Sequence, residues 1–209
     1  MPQVLKEDIR EKIIAAATEE FLNKGFKNAS MREIANQANM TVGNVYRYFK
    51  NKQELMNCVI TPALLRLNVI LKQHSANQIT FDKQINKIGL DTEHIIGLLD
   101  SIAEELVALR KEHRKELTIL LKFGKQNNFI KLWVDSVIQT LIKEQVVLDL
   151  NDRTSDELLA SSLSEALFAG VQDCLNAEAS EDKILLNMKI FFRLFLNMFK
   201  SKQELEGVK

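Results

Sequence analysis

The chain has 209 residues, 46% of them apolar and 27% charged, and its formal net charge is zero. This composition excludes an intrinsically disordered chain, and the length suffices for one or two domains with a hydrophobic core. Only 7 glycines and 2 prolines are present, and leucine, isoleucine, alanine and phenylalanine dominate the apolar residues, which together predict an all-α fold.

The N-terminal residues carry charges early and contain no long apolar run, and no stretch of the chain looks long enough to span a membrane. We therefore expect a cytoplasmic protein without a membrane partner. The two cysteines, Cys58 and Cys174, lie far apart and form no CxxC motif, so we interpret them as buried free thiols. The sequence predicts no metal site and no cofactor.

The charges are distributed unevenly along the chain. Residues 1–22 carry three basic and five acidic side chains, residues 23–52 carry six and one, and residues 53–209 carry nineteen and twenty-two. The net charge of +5 in the second segment, on an otherwise mildly acidic chain, indicates a local binding site for a polyanion. Because charge clusters are usually only solvated faces, the local structure must decide between these interpretations.

The first helix is predicted from about Lys6 to Lys24, because apolar residues recur every four positions at Ile9, Ile13, Ala17 and Phe21. Gly25 is expected to end this helix in the left-handed conformation, and Phe26 then packs back on Phe21. The helix therefore presents one apolar stripe to the core of an N-terminal domain.

Two short helices follow, and each begins with a capping residue. Ser30 opens the second helix, and Glu33 three residues later completes a capping box. Asn39 is the expected turn residue, because asparagine tolerates a positive φ angle better than most residues with a side chain. Thr41 then caps the third helix.

The third helix places Val45 and Phe49 one turn apart on its inner side. Five residues must then face largely away from the small core: Val42, Gly43, Asn44, Tyr46 and Arg47. Two short helices joined by a tight turn form a helix-turn-helix, whose second helix suits the major groove of DNA. Asn51 caps a fourth helix and places Lys52 in a first turn whose free N–H groups also attract phosphate.

These residues resemble the TetR/AcrR family of bacterial transcriptional regulators over roughly residues 8–56. The family pattern combines a glycine after helix one, a serine or threonine cap, an Ile-Ala pair, a turn and a Tyr-x-His/Tyr-Phe-x-x-Lys-x-x-Leu run. Here the pattern is represented by Gly25, Ser30, Ile34, Ala35, Asn39, Tyr46, Tyr48, Phe49, Lys52 and Leu55. Asn39 stands where the family usually has glycine, and Ala29 where threonine is common.

The resemblance implies a helix-turn-helix domain over residues 1–52, a fourth helix that bridges from about residue 52, and a C-terminal helical regulatory and dimerisation domain over residues 53–209. It implies phosphate contacts from Ser30, Thr41, Tyr46, Tyr48 and Lys52. It implies base contacts from Arg32, Val42, Gly43, Asn44 and Arg47. Structural interpretations stay open for several of them: Ser30 and Thr41 as caps, Tyr48 as core, and Lys52 as a solvated charge.

Beyond residue 56 only periodicity guides the prediction. The fourth helix should continue to about Lys72, with Pro62 bending or interrupting it, and the stretch HSANQITFDKQINKIGL is too irregular to assign. Later helices are predicted from Asp91 to about Arg110, through HRKELTILLKF, and at residues 128–145, 155–176 and 181–200.

The last predicted helix is apolar on more than one face, and the preceding one mixes leucines with small residues that permit close helix approach. This pair suits a two-fold dimer interface, with candidate residues Leu163, Leu167, Gly170, Phe191 and Phe195. The alternative is an ordinary core helix of a monomer. The resemblance further implies an effector cavity, with candidate lining residues Phe123, Phe129, Trp133, Phe168 and Met188, although such residues more often serve packing.

The resulting hypothesis is a ligand-responsive regulator, most often a repressor in this family. It binds a palindromic DNA operator as a homodimer and is released by a small, largely apolar effector. One alternative is a constitutive or protein-regulated DNA-binding factor without an effector. A second is an all-helical metal-dependent enzyme, for which the sequence offers three histidines but no HExxH motif, phosphate loop or GxSxG motif.

Overall fold

A computed structural model of the chain describes residues 3–88, 92–123 and 153–197. The described residues form helices and turns without a strand, which confirms the all-α prediction. The helices are α1 (Gln3–Asn28), α2 (Met31–Gln37), α3 (Val42–Tyr46), α4 (Lys52–Ile88), α5 (Thr92–Glu112), α6 (Arg114–Phe123), α7 (Arg153–Asn176) and α8 (Glu181–Asn197).

The chain divides into two compact units. The N-terminal unit comprises Met1–Leu67 and Glu112–Lys125, and the C-terminal unit comprises Asn68–Lys111 and Gln126–Lys209. Compared with the predicted division after residue 52, the N-terminal unit gains the first part of α4 and, from further along the chain, α6. Helix α4 itself runs from the first unit into the second, so the two units share one continuous backbone element.

The helical conformation of α1 is interrupted at Gly25, close to the residue at which the sequence predicts that the helix ends. The φ angle of Gly25 is 71°, as the stop signal required, but its ψ angle is 168°. This conformation belongs to a region that only glycine populates readily, and not to the left-handed helical region that we predicted. The ring of Phe26 nevertheless packs on Phe21, with 6.1 Å between the ring centroids.

The core of the N-terminal unit forms around α1. Ile13, Ala17 and Phe21, three residues of the predicted stripe, are fully buried. Helix α6 packs on α1 and buries Leu117, Ile119 and Leu120, and Lys115 of α6 forms an ion pair with Glu19 of α1. A segment from the middle of the chain therefore completes the core beneath the helix-turn-helix.

Helix α4 is longer than the sequence predicted. It continues without interruption through Pro62 and past Lys72 to Ile88, so the stretch that we left unassigned is helical up to that residue. Leu55, Val59, Ala63 and Leu67 of its first half are buried at helical spacing in the N-terminal unit. Periodicity alone could not define the end, because the second half of α4 carries a mixed polar and apolar sequence.

Among the described residues, one helical segment, Lys52–His74 of α4, is long and apolar enough to cross a membrane, with a mean hydropathy of 1.4. By the criteria of length and composition alone, the expectation that no stretch is long enough to span a membrane is therefore wrong. Core helices of globular proteins meet the same criterion, and 44% of this window is buried inside the fold.

Helix α8 packs against α7 in the C-terminal unit. Its buried residues are Ile184, Met188, Phe192 and Phe195. Gly170 of α7 lies directly against the ring of Phe191, because a Cβ atom placed at Gly170 would be 2.2 Å from Phe191 Cζ. A small residue on α7 therefore lets α8 approach closely, as the sequence suggested.

Two basic residues of α8 pair with two acidic residues of α5. Lys189 Nζ lies 2.6 Å from Glu104 Oε1, and Arg193 Nη2 lies 2.7 Å from Asp100 Oδ2. The residues of each helix are four positions apart, so they share one face and form two parallel rungs. Lys189 and Arg193 of α8 are therefore paired with α5 inside the chain.

The turn between α7 and α8 is held by Arg110, which is 2% exposed. Its guanidinium group donates to the carbonyl oxygens of Leu175 at 2.7 Å and Ala177 at 2.9 Å, and to Glu181 Oε1 at 2.5 Å. The last carbonyl groups of a helix have no partner within the helix, and the negative end of its dipole favours a cation. Arg110 therefore caps the C-terminal end of α7 from α5.

The later helix boundaries agree closely with the sequence. Helices α5 and α6 begin and end within about two residues of their predicted positions, and α7 ends at Asn176 as predicted. Helix α8 begins at Glu181 as predicted and is described to Asn197. The predicted helix at residues 128–145 lies outside the described residues.

The cysteines are free but only half-buried. Burial raises the pKa of the Cys174 thiol above its ordinary value, and the neighbouring Asp173 carboxylate adds to this shift. The Cys58 sulfur accepts a 3.4 Å contact from Arg10 Nη2, which connects α4 to α1.

Candidate nucleic-acid interface

Helix α2 begins with the cap that the sequence predicted, but the capping box is incomplete. Ser30 Oγ accepts a hydrogen bond from the backbone N–H of Glu33 at 3.1 Å. The backbone N–H of Ser30 donates to Glu20 Oε1 of α1 at 3.4 Å, where a capping box would use the side chain of Glu33. The cap therefore also binds α2 to α1.

Glu20 contacts the helix-turn-helix from α1, and the sequence did not identify it as a residue of this site. It is 1% exposed, and its carboxylate accepts hydrogen bonds from Ser30 and, at 3.0 Å, from the side-chain amide of Gln37. Lys24 Nζ lies 3.1 Å from Glu20 Oε1. The signal was present in the sequence, because Glu20 falls three residues after the buried Ala17, on the apolar stripe of α1. A charged residue at such a position requires a buried partner.

The turn and the start of α3 agree with the sequence. Asn39 has a φ angle of 56°, which makes it the positive-φ residue of the turn. Thr41 Oγ1 accepts a hydrogen bond from the backbone N–H of Asn44 at 3.2 Å and so caps α3. Val45 of α3 is buried as predicted, and Phe49 is buried as well, although α3 ends at Tyr46 and Phe49 follows it.

The opposite side of α3 is accessible. Gly43, Tyr46 and Arg47 are exposed, while Val42 and Asn44 are half-buried. The space around Gly43 is open, since a Cβ atom placed there meets no other heavy atom within 4 Å. The outward orientation is therefore confirmed for Gly43, Tyr46 and Arg47, whereas Val42 and Asn44 are only partly accessible, and the contacts of all five residues with bases stay predictions.

Helix α4 begins as predicted at a cap formed by Asn51. Asn51 Oδ1 accepts a hydrogen bond from the backbone N–H of Glu54 at 2.8 Å, and the Glu54 carboxylate accepts one from the backbone N–H of Lys50 at 2.7 Å. These bonds fix the segment that follows α3 and set where Lys52 enters the helix.

Lys52 is not simply a solvated charge. Its ammonium group donates to the carbonyl oxygens of Ala29 at 2.8 Å and Lys27 at 3.3 Å, and lies 4.7 Å from the centre of the Phe26 ring. The ammonium has three N–H donors, and the two carbonyl oxygens take two of them. Lys52 therefore holds the link between α1 and α2 while lying at the surface predicted to meet DNA.

The remaining predicted contact residues are exposed or half-buried around the same helices. Ser30 and Thr41 are exposed caps, Tyr48 is half-buried after α3, and Arg32 is exposed on the first turn of α2. The caps, the first turn of α2, α3 with the residues that follow it, and the start of α4 thus carry every predicted phosphate and base contact within one unit. This surface combines hydroxyl, amide, aromatic and basic groups, the types that contact DNA phosphates and base edges.

The predicted effector residues are only partly described. Phe129 and Trp133 lie outside the described residues, and Phe123 is placed as the last residue of α6. Phe168 is half-buried on α7, and Met188 is fully buried on α8. The burial of Met188 agrees with the packing interpretation that the sequence favoured.

The predicted dimer residues are largely used inside one chain. Leu167 and Phe195 are buried, Leu163 is half-buried, and Gly170 and Phe191 contact each other. The exposed apolar residues of α8 are instead Leu186, Ile190 and Leu194, at 57%, 45% and 62% exposure. They recur every four residues and therefore form one stripe, which we call the α8 stripe, on the face away from Met188.

Sequence comparison relates the N-terminal part of the chain to known regulators. Residues 13–59 match the family described as bacterial regulatory proteins, tetR family. The chain is 29% identical over 107 residues to YvkB and 29% identical over 80 residues to YhgD, two uncharacterised HTH-type transcriptional regulators of Bacillus subtilis strain 168. These alignments cover 51% and 38% of this chain. The chain spans less than half the length of these relatives, 47% of YvkB and 42% of YhgD.

Structural comparison extends the likeness to nearly the whole chain. A TetR-like transcriptional regulator from Rhodococcus sp. RHA1 has a TM-score of 0.57 at 20% identity, with 94% of this chain and 98% of that chain covered. A TetR-family regulator structure from Shewanella sp. PV-4 has a TM-score of 0.51 at 13% identity, with 90% and 96% covered. At such identities the likeness establishes the fold. Residues 13–59 therefore match the tetR family of bacterial regulatory proteins, and the chain has the fold of the TetR-like structures.

Proposed function

We propose that the protein is a DNA-binding transcriptional regulator that binds a palindromic operator as a dimer and acts as a repressor released by a small, largely apolar effector. The observation that carries the DNA-binding part is the geometry of α3. Thr41 caps this helix, Val45 and Phe49 anchor it, and its outer side is accessible. It lies in the segment of residues 23–52, whose net charge of +5 suits phosphate.

In this proposal the outer side of α3 enters the major groove. Phosphate contacts come from Ser30, Thr41, Tyr46, Tyr48 and Lys52, and base contacts from Arg32, Val42, Gly43, Asn44 and Arg47. Arg47 has the guanidinium fork that pairs with guanine, and Asn44 has the amide that pairs with adenine. Gly43 permits close approach of the backbone to DNA, since no protein atom fills the space beside it.

Genomic footprinting of the purified protein tests DNA binding and identifies the operator. A Gly43→Ala variant then tests the docking of α3. Its methyl group fits the free protein, and alanine favours a helix, so the variant is expected to fold at least as stably as the wild type. We expect it to lose operator affinity, because the added methyl group lies where DNA approaches.

The matched control is Gly97→Ala, in which an equally open helical glycine of α5 receives the same methyl group in the other unit. This control should retain wild-type affinity. Wild-type affinity in Gly43→Ala would contradict the docking of α3, and a wild-type protein that protects no genomic site would contradict the function itself.

Dimer formation in this proposal uses the α8 stripe. Large exposed apolar side chains at regular spacing on one helix face mark a surface for another protein, and a two-fold axis lets one stripe cover another. Two helix-turn-helix units then engage two half-sites whose centres are separated by roughly 34 Å or a multiple of it. This supports a palindromic operator.

Effector response in this proposal acts through α4. The helix begins with Lys52 in the N-terminal unit and continues into the C-terminal unit, so displacement of its far half can move the helix-turn-helix. The ligand shifts this equilibrium only through its difference in affinity between two states. An effector that weakens operator binding must therefore be bound more weakly in the presence of operator, by the same factor.

The proposed effector response is tested by titrating compounds into a fluorescence-anisotropy assay with operator DNA. The compounds are chosen from the functions of the footprinted genes. A Trp133→Ala variant, at a predicted lining position, is expected to weaken the response without changing operator affinity. Compounds that bind the free protein yet leave operator affinity unchanged would favour the alternative of a constitutive or protein-regulated DNA-binding factor. TetR-family proteins are transcriptional regulators, so the metal-dependent enzyme is rejected.

A further inference from the structure

The peptide bond between Ala29 and Ser30 is held on both of its polar groups by side chains from two different helices. The N–H of Ser30 donates to Glu20 Oε1 of α1 at 3.4 Å. The carbonyl oxygen of Ala29 accepts from Lys52 Nζ of α4 at 2.8 Å. This peptide immediately precedes α2, so its orientation sets the direction in which α2 leaves α1.

The second oxygen of Glu20 reaches the other end of α2. Glu20 Oε2 accepts a 3.0 Å hydrogen bond from the side-chain amide of Gln37, the last residue of α2. One buried carboxylate therefore contacts the residue that caps α2 and the residue that ends it. Such a bridge resists both rotation of α2 about its axis and sliding of α2 along α1.

We propose that Glu20 is a positioning residue for DNA recognition, which fixes α2, and through the Asn39 turn α3, in the orientation that reads the operator. The inference rests on the proposed function, because it concerns how the helix-turn-helix is prepared for DNA. Glu20 is buried and touches no DNA. It acts by keeping the binding-competent arrangement of α2 and α3 populated before DNA arrives.

Because Glu20 is charged, an experiment can distinguish its positioning role from a purely electrostatic effect on DNA binding. Removal of a negative charge near the basic segment strengthens attraction to any DNA, if charge alone matters. Loss of positioning has the opposite effect on a specific site, because apparent affinity falls with the fraction of protein in the competent arrangement. A contact with phosphate would change the salt dependence, whereas a positioning role leaves it unchanged.

The test compares Glu20→Leu, Glu20→Gln and Gln37→Leu with the control Glu19→Leu, which removes an exposed carboxylate one residue away. The probes are a duplex selected from a random-sequence pool by the wild-type protein, and a scrambled duplex of equal length and composition. If the competent fraction falls to roughly one tenth, Glu20→Leu weakens binding to the selected duplex about tenfold. We expect no weakening on the scrambled duplex and an unchanged salt slope on the selected one.

Glu20→Gln is expected to stay within about threefold of the wild type, because its amide oxygen still accepts from Ser30 and the Gln37 amide can turn. Wild-type binding of the selected duplex by folded Glu20→Leu would overturn the proposal. If circular dichroism shows that Glu20→Leu does not fold, Gln37→Leu decides, with an expected loss of about threefold and wild-type binding as the contrary result.

Amide hydrogen exchange in the free protein separates this inference from the proposed function. Loss of Glu20 should accelerate exchange in residues 31–37 but not in α7, whereas Glu19→Leu should accelerate neither. A wild-type protein that selects no duplex would refute the proposed function and with it the DNA role of Glu20. Unchanged exchange in α2 of Glu20→Leu would refute the positioning itself, whatever the DNA result.

Discussion

The ammonium group of Lys52 donates a 2.8 Å hydrogen bond to the carbonyl oxygen of Ala29, 23 residues earlier in the chain. The same group donates to the backbone carbonyl oxygen of Lys27 and lies over the ring of Phe26. A lysine that the sequence suggested for phosphate binding is therefore also part of the internal structure of the N-terminal unit. Substitution of Lys52 consequently affects stability and DNA binding together, and the two effects must be measured separately.

Lys52→Ala is expected to lower the free energy of unfolding by about 1–2 kcal/mol, because two backbone carbonyls lose a charged donor. If Lys52 also contacts a phosphate, the variant binds all DNA sequences more weakly and the slope of log affinity against log salt falls by about one unit. Urea unfolding measures the first effect, and salt titration of DNA affinity measures the second.

The control for Lys52 is Lys50→Ala, which removes an exposed lysine side chain two residues earlier and leaves the backbone bond to Glu54 intact. It should leave the free energy of unfolding unchanged. A loss of stability in Lys52→Ala without any change of salt slope would assign Lys52 to structure alone.

Local signals of the helix-turn-helix were readable from the sequence. The three caps at Ser30, Thr41 and Asn51 each accept a hydrogen bond from a backbone N–H three residues later, so the whole interaction lies within four consecutive residues. The positive φ angle of Asn39 is also a local preference. Such features depend on few neighbours, and for this reason the architecture of the N-terminal unit could be predicted.

Interactions between distant residues could not be predicted in the same way. The sequence shows that Glu20 lies on the stripe of α1, but not that its partners lie 10 and 17 residues later. Helix α8 carries apolar residues on several sides, and periodicity does not tell which side packs inside the chain. The structure buries Phe195 and leaves Leu194 exposed, although both are equally apolar in a sequence pattern.

The close approach of α7 and α8 predicts opposite effects of one substitution at two glycines of the C-terminal unit. Gly170→Ala forces the Phe191 ring to move, since the added Cβ atom would lie 2.2 Å from Cζ. Overpacking outweighs the gain in helix propensity, and we expect the free energy of unfolding to fall by about 1–2 kcal/mol.

Gly97→Ala is the control for this prediction, because the space beside Gly97 in α5 is open. Alanine should raise the free energy of unfolding there by about 0.5–1 kcal/mol. Urea unfolding of both variants gives the comparison. Equal effects at the two positions would contradict the described contact between Gly170 and Phe191.

Arg110 should contribute strongly to the stability of the C-terminal unit. Arg110→Met removes a buried donor from two carbonyls at the end of α7 and leaves Glu181 without its partner. We expect the free energy of unfolding to fall by about 3 kcal/mol, at the lower limit for a broken buried pair, since Glu181 is partly exposed.

Glu181→Gln separates the two parts of this effect, because it removes the ion pair but leaves the bonds from Arg110 to the carbonyls of Leu175 and Ala177. A loss of only about 1 kcal/mol is expected from it. If Glu181→Gln destabilises the protein as much as Arg110→Met does, the ion pair and not the helix cap is the dominant contribution.

The dimer prediction follows from the difference between the α8 stripe and the buried side of α8. Leu186→Lys combined with Leu194→Lys changes two exposed residues, so the fold should persist while two stripes can no longer cover each other. Light scattering should then report the mass of a monomer, and circular dichroism an unchanged helix content. Palindrome binding should be lost as well, because a monomer engages only one half-site.

Two other variants test whether a monomeric mass of the double variant reflects the loss of a specific dimer interface. Phe195→Lys places a charge in a buried position, so it should unfold the C-terminal unit and not simply separate two subunits. Leu65→Lys adds the same charge at an exposed apolar residue of α4, far from α8 in sequence, and should leave the mass unchanged. A wild-type protein that is already monomeric at micromolar concentration would remove the role proposed for the α8 stripe. A folded, dimeric Leu186→Lys, Leu194→Lys variant would move the interface to another surface.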